Sequence, residues 1–201
     1  MKIGNFQSQV CVCAASTNLT CAKYRAEMGK NMIYFVADTH FSEENIMRYE
    51  NRPFESAGEM DREIISRWNS VVEEEDEVYV LGDFGAAGRE ALMLSQLRGR
   101  KFLVKGNHDI QSNQYYRDAG FEEVYDHPVI LKDFWILSHE PLYVNTNMPY
   151  ANLFGHVHNS PIIKTFSKQH YCVSVERIDF TPVSFDEIVR RIQREEGEAN
   201  G

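Results

Sequence analysis

The order of apolar segments predicts an α/β fold built on two β-sheets with helices outside them. Up to Gly120, short apolar runs alternate with segments of helical periodicity, the pattern of strands joined by crossover helices. From there to Phe180, apolar runs follow one another with only loops between them, the pattern of a second sheet. A chain of 201 residues, 43% hydrophobic and 25% charged, suits one globular domain with a sizeable core. Two packed sheets account for both halves, although periodicity alone does not fix their arrangement.

MIYFVAD, from Met32, is rich in β-branched and aromatic residues and reads as a buried strand. MDREIISRWNSVV reads as a helix, with Met60, Ile64, Trp68 and Val71 recurring on one face. EVYVLGD is a second strand, REALMLSQL a second helix and KFLVKGNHD a third strand. SNQYYRDAG gives a third helix closed by Gly120. HPVILKD, FWILSHE, NLFGHVH and YCVSVERIDF then read as strands. A last helix begins at Ser184, where Ser184 and Glu187 supply a capping box. No repeat or second domain boundary is visible, which places the domain at 31–195 and a tail at 196–201.

Residues 1–30 read as a poorly ordered extension, and both Met28 and Met32 are plausible starts for the folded part. The apolar stretch Val10 to Ala15 is too short and cysteine-rich for a signal peptide. No apolar run approaches the ~20 residues that span a bilayer. Cys11, Cys13, Cys21 and Cys172 include no C-x-x-C pair and look like neither a disulfide framework nor a zinc module. The expectation is a soluble, cytoplasmic protein. A net charge of −9 disfavours a binder of long nucleic acid. The acidic run Glu73–Glu77 reads as a solvated turn, since it lacks the spaced ligands and glycine of a calcium loop.

The strand ends carry the chemistry. The first three strands end in Asp38-Thr39-His40, Gly82-Asp83 and Gly106-Asn107-His108-Asp109. Later strands end in Ser138-His139 and Gly155-His156-Val157-His158. Ligands of open α/β sheets gather at such ends, where loops converge on one crevice. Five of the seven histidines fall there, with His127 and His170 outside the pattern. Any one of them alone is more simply a hydrogen-bonded core or surface histidine. Carboxylates, imidazoles and an amide oxygen together suit borderline divalent ions such as manganese, iron or zinc. Asp38, His40, Asp83, Asn107, His139, His156 and His158 are too many for one ion; two ions sharing Asp83 would use them all. The positive charge left on such a pair suits an anion, most naturally a phosphoryl group. Gly82, Gly106 and Gly155 each precede a ligand and permit a tight turn, although ordinary strand-end glycines fit equally well.

The ordered set D-x-H, G-D, G-N-H-D, a lone histidine after an apolar strand and G-H-x-H resembles the calcineurin-like metallophosphoesterases. The resemblance runs from Met32 to Ile192, and NRPFES and MDREIISRWNSVV resemble small bacterial and phage members. It implies two mixed β-sheets face to face with flanking helices, a four-layer α-β-β-α sandwich. It implies hydrolysis of a phosphomono- or phosphodiester by a hydroxide bridging two divalent ions, manganese first and iron, zinc, cobalt or nickel also suited. Asp38, His40 and His158 would hold one ion and Asn107, His139 and His156 the other, with Asp83 as the bridge. His108 would protonate the leaving oxygen, oriented by Asp109.

GDFGAAGRE lacks the Asp-Arg-Gly that follows G-D in protein Ser/Thr phosphatases and dinucleoside tetraphosphatases, which disfavours both. Some small phosphodiesterases of the superfamily carry Cys where this chain has His108, so monoesters and diesters are both feasible here. A non-catalytic scaffold on this fold would lack ligands, and none is missing. A nuclease of long chains is disfavoured by the acidic balance; cyclic nucleotides and short oligonucleotides are not. The expected partner is a small phosphate ester. Asn45, Arg48 and Arg52 follow the first metal motif and could reach its phosphate, Arg52 best of the three, although an arginine pinning its own loop fits equally well. VNTNMPY could form a pocket wall, with an ordinary loop as the plain alternative.

Overall fold

A computed structural model describes residues 31–163, 166–167 and 169–198. The expectations for 1–30 and for the last three residues of the tail lie outside them. Four of the five strands of the first sheet are parallel: β1 (Ile33–Val36), β2 (Glu77–Val80), β3 (Arg100–Val104) and β4 (Glu123–Tyr125). Parallel neighbours need crossovers. They are made by α1 (Glu44–Tyr49) and α2 (Ala57–Val71), then α3 (Glu90–Leu94), then α4 (Asn113–Ala119).

The second sheet has the order β5-β6-β7-β9-β8, from β5 (Val129–Leu131), β6 (Trp135–Leu137), β7 (Ala151–Phe154), β9 (His170–Cys172) and β8 (Phe166–Ser167). Its inner strands β6, β7 and β9 are parallel and both edges antiparallel, so each sheet is mixed. The chain then returns to the first sheet, where β10 (Val183–Ser184) pairs antiparallel with β1 and leads into α5 (Phe185–Glu198). The two sheets are joined where β1 ends: Ala37 N–H donates to Val173 O at 2.9 Å and Val175 N–H to Ala37 O at 3.1 Å.

α2 forms for the reasons its periodicity gives. Ser56 caps it by accepting from Glu59 N–H at 3.2 Å, and Met60, Ile64 and Trp68 are wholly enclosed on one face. Val71 is half-buried while Val72, just past the helix, is enclosed. Ser184 accepts from Glu187 N–H at 3.3 Å, as the capping pattern at α5 requires.

Several elements differ from the sequence expectation. REALMLSQL is helical only over its first half, because α3 stops at Leu94. α1 carries one buried residue, Ile46, too little periodicity to show in sequence. YCVSVERIDF is not one strand: β9 ends at Cys172, the next residues cross to pair with β1, and Val175–Arg177 form a 3-10 turn. In the acidic run Glu73, Glu74 and Glu75 are exposed as expected, but Asp76 is buried. Its carboxylate accepts from Met32 N–H and Glu73 N–H, both at 2.8 Å, and so ties the entry of β1 to the entry of β2.

Trp68→Ala should lower unfolding free energy by about 3–5 kcal/mol in urea titration. Ser56→Ala should cost only ~1 kcal/mol, since it removes one cap from the same helix.

Candidate metal centre

All seven predicted ligands lie just past the C-terminal ends of five strands, β1, β2, β3, β6 and β7. Beyond β1 the chain keeps its ladder with the segment beyond β2. Asp38 N–H donates to Gly82 O at 3.0 Å, His40 N–H to Asp83 O at 3.0 Å, and Phe41 N–H to Phe84 O at 2.9 Å. Five ligands sit in the left-handed region: Asp38 (φ 58°), His40 (48°), Asp83 (54°), His156 (67°) and His158 (43°). Asp and His tolerate that region better than most side chains, yet each instance still carries strain.

The three glycines are there for close approach. A Cβ on Gly82 would fall 2.3 Å from His139 Nδ1, one on Gly106 2.2 Å from Asp83 Oδ1, and one on Gly155 2.7 Å from Asp38 Oδ2. Only Gly82 also has a positive φ, +86°. The turn reading therefore covers one of them, and direct contact with a ligand covers all three.

Hydrogen bonds fix the imidazole tautomers. His139 Nδ1 lies 2.9 Å from Leu81 O, and a carbonyl only accepts, so Nδ1 carries the proton and Nε2 a bare lone pair. That lone pair meets Asn107 Oδ1 at 2.9 Å, His156 Nδ1 at 3.1 Å and Asp83 Oδ2 at 3.4 Å. His156 Nδ1 is itself 3.1 Å from Asn107 Oδ1. On the other side His40 gives Nδ1 to Glu43 Oε2 at 3.1 Å, leaving Nε2 enclosed, without a hydrogen-bond partner and 3.7 Å from Asp83 Oδ2. His158 gives Nδ1 to Glu176 Oε1 at 3.0 Å. Ligand atoms of Asp38, His40 and His158 lie within 4.8 Å of one another, as do those of Asp38, Asp83 and His139. Electron pairs crowded on common points, with protons held behind them, fit divalent cations. Asp83 Oδ2 lies between the two groups.

Burial pushes the Asp38 carboxyl above its usual range, against the opposing pull of His158 and His139. Burial likewise raises Glu176, but the His158 hydrogen bond and the Arg52 charge outweigh it and hold that carboxyl low. His158 is raised: burial works against its charged form, while Glu176 and Asp38 favour it.

One expectation changes. Asp109 does not orient His108. Its oxygens accept from the backbone N–H of Asp83 (2.7 Å), Gly106 (2.8 Å) and Phe84 (3.2 Å), clamping the ends of β2 and β3 together. Of the two readings given for Arg52, its contacts match the arginine that pins its own loop. Its guanidinium is enclosed and donates to Asp38 O (2.6 Å), Thr39 O (2.9 Å) and Glu176 Oε1 (2.9 Å), pinning the loop that bears the first two ligands. Asn45 and Arg48 are exposed on α1. His108 is exposed, its ring 5.3 Å from that of His40, and its N–H donates to Asp83 Oδ1 at 2.9 Å.

Sequence reasoning missed Glu43, Glu176 and Arg177. Glu43 stands three residues after His40, a readable spacing. Glu176 and Arg177, whose Nε donates to His158 O, lie in the stretch taken for a strand.

Two mixed sheets with helices outside, and a cluster of metal-ligating side chains at their strand ends, define a metallophosphoesterase-type domain. The chain belongs to the calcineurin-like phosphoesterase family, whose model matches residues 32–188. It is 33% identical over 178 residues to the uncharacterized protein MJ1445 of Methanocaldococcus jannaschii, spanning 83% of this chain and 94% of that protein. It is 31% identical over 81 residues to the gene 66 protein of Mycobacterium phage L5, 38% of this chain and 39% of the phage protein. The crystal structure of AQ665 from Aquifex aeolicus, a protein of unknown function, superposes with a TM-score of 0.62 at 28% identity. That match covers 80% of this chain and 99% of AQ665.

Gly155→Ala should sharply reduce bound metal in elemental analysis, whereas Gly58→Ala, whose Cβ would meet only Arg62 Nη1 at 3.6 Å, should keep it. Arg52→Met should lower stability by about 3–5 kcal/mol, because Glu176 keeps only His158 as a partner and the carbonyls of Asp38 and Thr39 lose their donor. A substrate-binding Arg52 would instead raise KM and leave stability alone.

Proposed function

We propose that the protein is a phosphoesterase that hydrolyses a small phosphomono- or phosphodiester at a centre of two divalent ions. The observation that carries this reading is the bare, inward-facing lone pairs of His40 and His139 on either side of Asp83 Oδ2. Asp38, His40 and His158 would hold one ion and Asn107, His139 and His156 the other, with Asp83 shared. Manganese is favoured, and iron, zinc, cobalt or nickel would suit the same donors. When bound, such ions act as Lewis acids on phosphoryl oxygens and lower the pKa of water enough for attack near neutral pH.

The remaining work belongs to the chain. Water attacks phosphorus, the bond to the leaving oxygen breaks, and His108 at the exposed mouth supplies that oxygen with a proton. Asp83 Oδ1 holds the His108 backbone, so one carboxylate serves both the ions and the placing of the acid. Asp109 supports the reaction by holding the β2 and β3 ends in register. Asn45 and Arg48, both exposed on α1, are the remaining candidates to reach the phosphate of the substrate. No helix among the described residues is long and apolar enough to cross a membrane. Cys172 is buried, and burial pushes its thiol pKa up, which agrees with a structural thiol in a reducing cytoplasm.

Hydrolysis of bis-p-nitrophenyl phosphate and p-nitrophenyl phosphate, by chelated protein with manganese restored, tests the proposal. Metal-dependent turnover is expected, and the preferred ester separates diesterase from monoesterase. Two bound ions without turnover on either ester would count against it. Asp83→Ala should lose activity and bound metal together. His108→Ala should keep both ions and lose ~10²–10⁴-fold in rate, most for poor leaving groups. Loss of metal in the His108 variant would remove it from the role of acid.

A further inference from the structure

The two halves of the centre are backed by different chemistry. Behind the Asp38, His40 and His158 half, each imidazole gives its Nδ1 proton to a carboxylate, Glu43 Oε2 at 3.1 Å and Glu176 Oε1 at 3.0 Å. Behind the other half, His139 gives Nδ1 to the neutral carbonyl of Leu81. His156 turns Nδ1 toward Asn107 and His139; its backbone N–H donates to Asp38 at 2.9 Å, but among the described residues its ring is given no hydrogen bond to a carboxylate. In the assignment proposed above the ligands repeat the contrast, Asp38 serving the first half and the neutral Asn107 the second, although Asp38 also lies within 4.8 Å of the ligand atoms of Asp83 and His139. Asp83 is common to both.

The backing of the first half is also rigid. Glu176 is enclosed and held by Arg52 at 2.7 Å, and Arg52 in turn grips the carbonyls of Asp38 and Thr39. A ligand atom of Glu50 lies within 4.8 Å of those of His158 and Glu176, which adds a further carboxylate there. Asp38 Oδ1 does approach His139 Nδ1, at 3.8 Å, but that nitrogen already donates to Leu81 O. The approach therefore gives the second half no equivalent partner.

A carboxylate behind an imidazole makes its far lone pair more basic and fixes where it points. Building on the two-ion reading above, we infer that Glu43 and Glu176 are positioning residues that make the Asp38–His40–His158 site fill first and hold its ion more tightly than the Asn107–His139–His156 site. The second ion is then the exchangeable one, and the protein exists in a one-ion state wherever free metal is scarce.

Stepwise calorimetric titration of chelated full-length protein with manganese, without any ester present, tests this. Two steps are expected, the first at least about tenfold tighter. His40→Ala should remove the tight step and Asn107→Ala the weak one. Glu176→Gln and Glu43→Gln each keep an acceptor for Nδ1 and lose only the charge. Each should weaken the tight step by ~10–100-fold and spare the weak one. Glu176→Gln also disturbs Arg52, so Glu43, with 26% of its side chain exposed and outside that ion pair, provides the variant least prone to unfold. Equal steps in the unmodified protein would overturn the inference, as would variants that weaken the second step or lower both affinities together with thermal stability. Two resolved steps without ester hydrolysis would sink the phosphoesterase reading and leave this one standing; hydrolysis with equal steps would do the reverse.

Discussion

The whole centre depends on how closely three backbone segments approach one another at the strand ends. Gly82, Gly106 and Gly155 lie where any side chain would strike His139, Asp83 or Asp38. Without that approach, ligands from β1, β2, β3, β6 and β7 could not share one small volume. The Ala37–Val173 and Val175–Ala37 hydrogen bonds hold the two sheets together at the same end. Past the ends of the short neighbours β10 and β8 the backbone groups of Ala37, Val173 and Val175 pair with one another through this join.

The approach is maintained against strain. Five ligands occupy left-handed backbone, each at a cost of order 1–3 kcal/mol. Asp38, His40 and Asp83 are kept there by the ladder continued past β1 and β2, the Asp109 clamp on three amides and the Arg52 grip on two carbonyls, while His156 N–H donates to Asp38 and His158 O accepts from Arg177. Each uses a buried charge or a buried backbone group whose loss would be expensive, so the region resists relaxing to ordinary geometry. For the function proposed, rigid donors in position would spare the reorganisation that flexible ones require on binding cations and phosphate.

The candidate ligands could be picked out because they interrupt apolar strands with residue types that have no place in a core. The two-sheet fold was legible from the change in pattern after Gly120. What supports the ligands was not. Arg52 and Glu176 are 124 residues apart, and nothing local marks them as partners. Asp109 follows His108 directly and reads as its orienter, yet the turn at Gly106–Asp109 points its carboxylate back at β2. The glycines were ambiguous because a turn and a close approach both select glycine, and only the position of the neighbouring chain distinguishes them. Short elements such as α1, β4, β8 and β10 bury too few residues to leave a period.

The position of β10 has a consequence for how the protein is made. Although all seven ligands have left the ribosome by His158, the strand that starts the site gains its other neighbour only when Val183 and Ser184 arrive. Ser174, which ties the sheets, and Glu176, which backs His158, also come late. A nascent or truncated chain can therefore carry every ligand in its sequence and still lack the frame that gathers them.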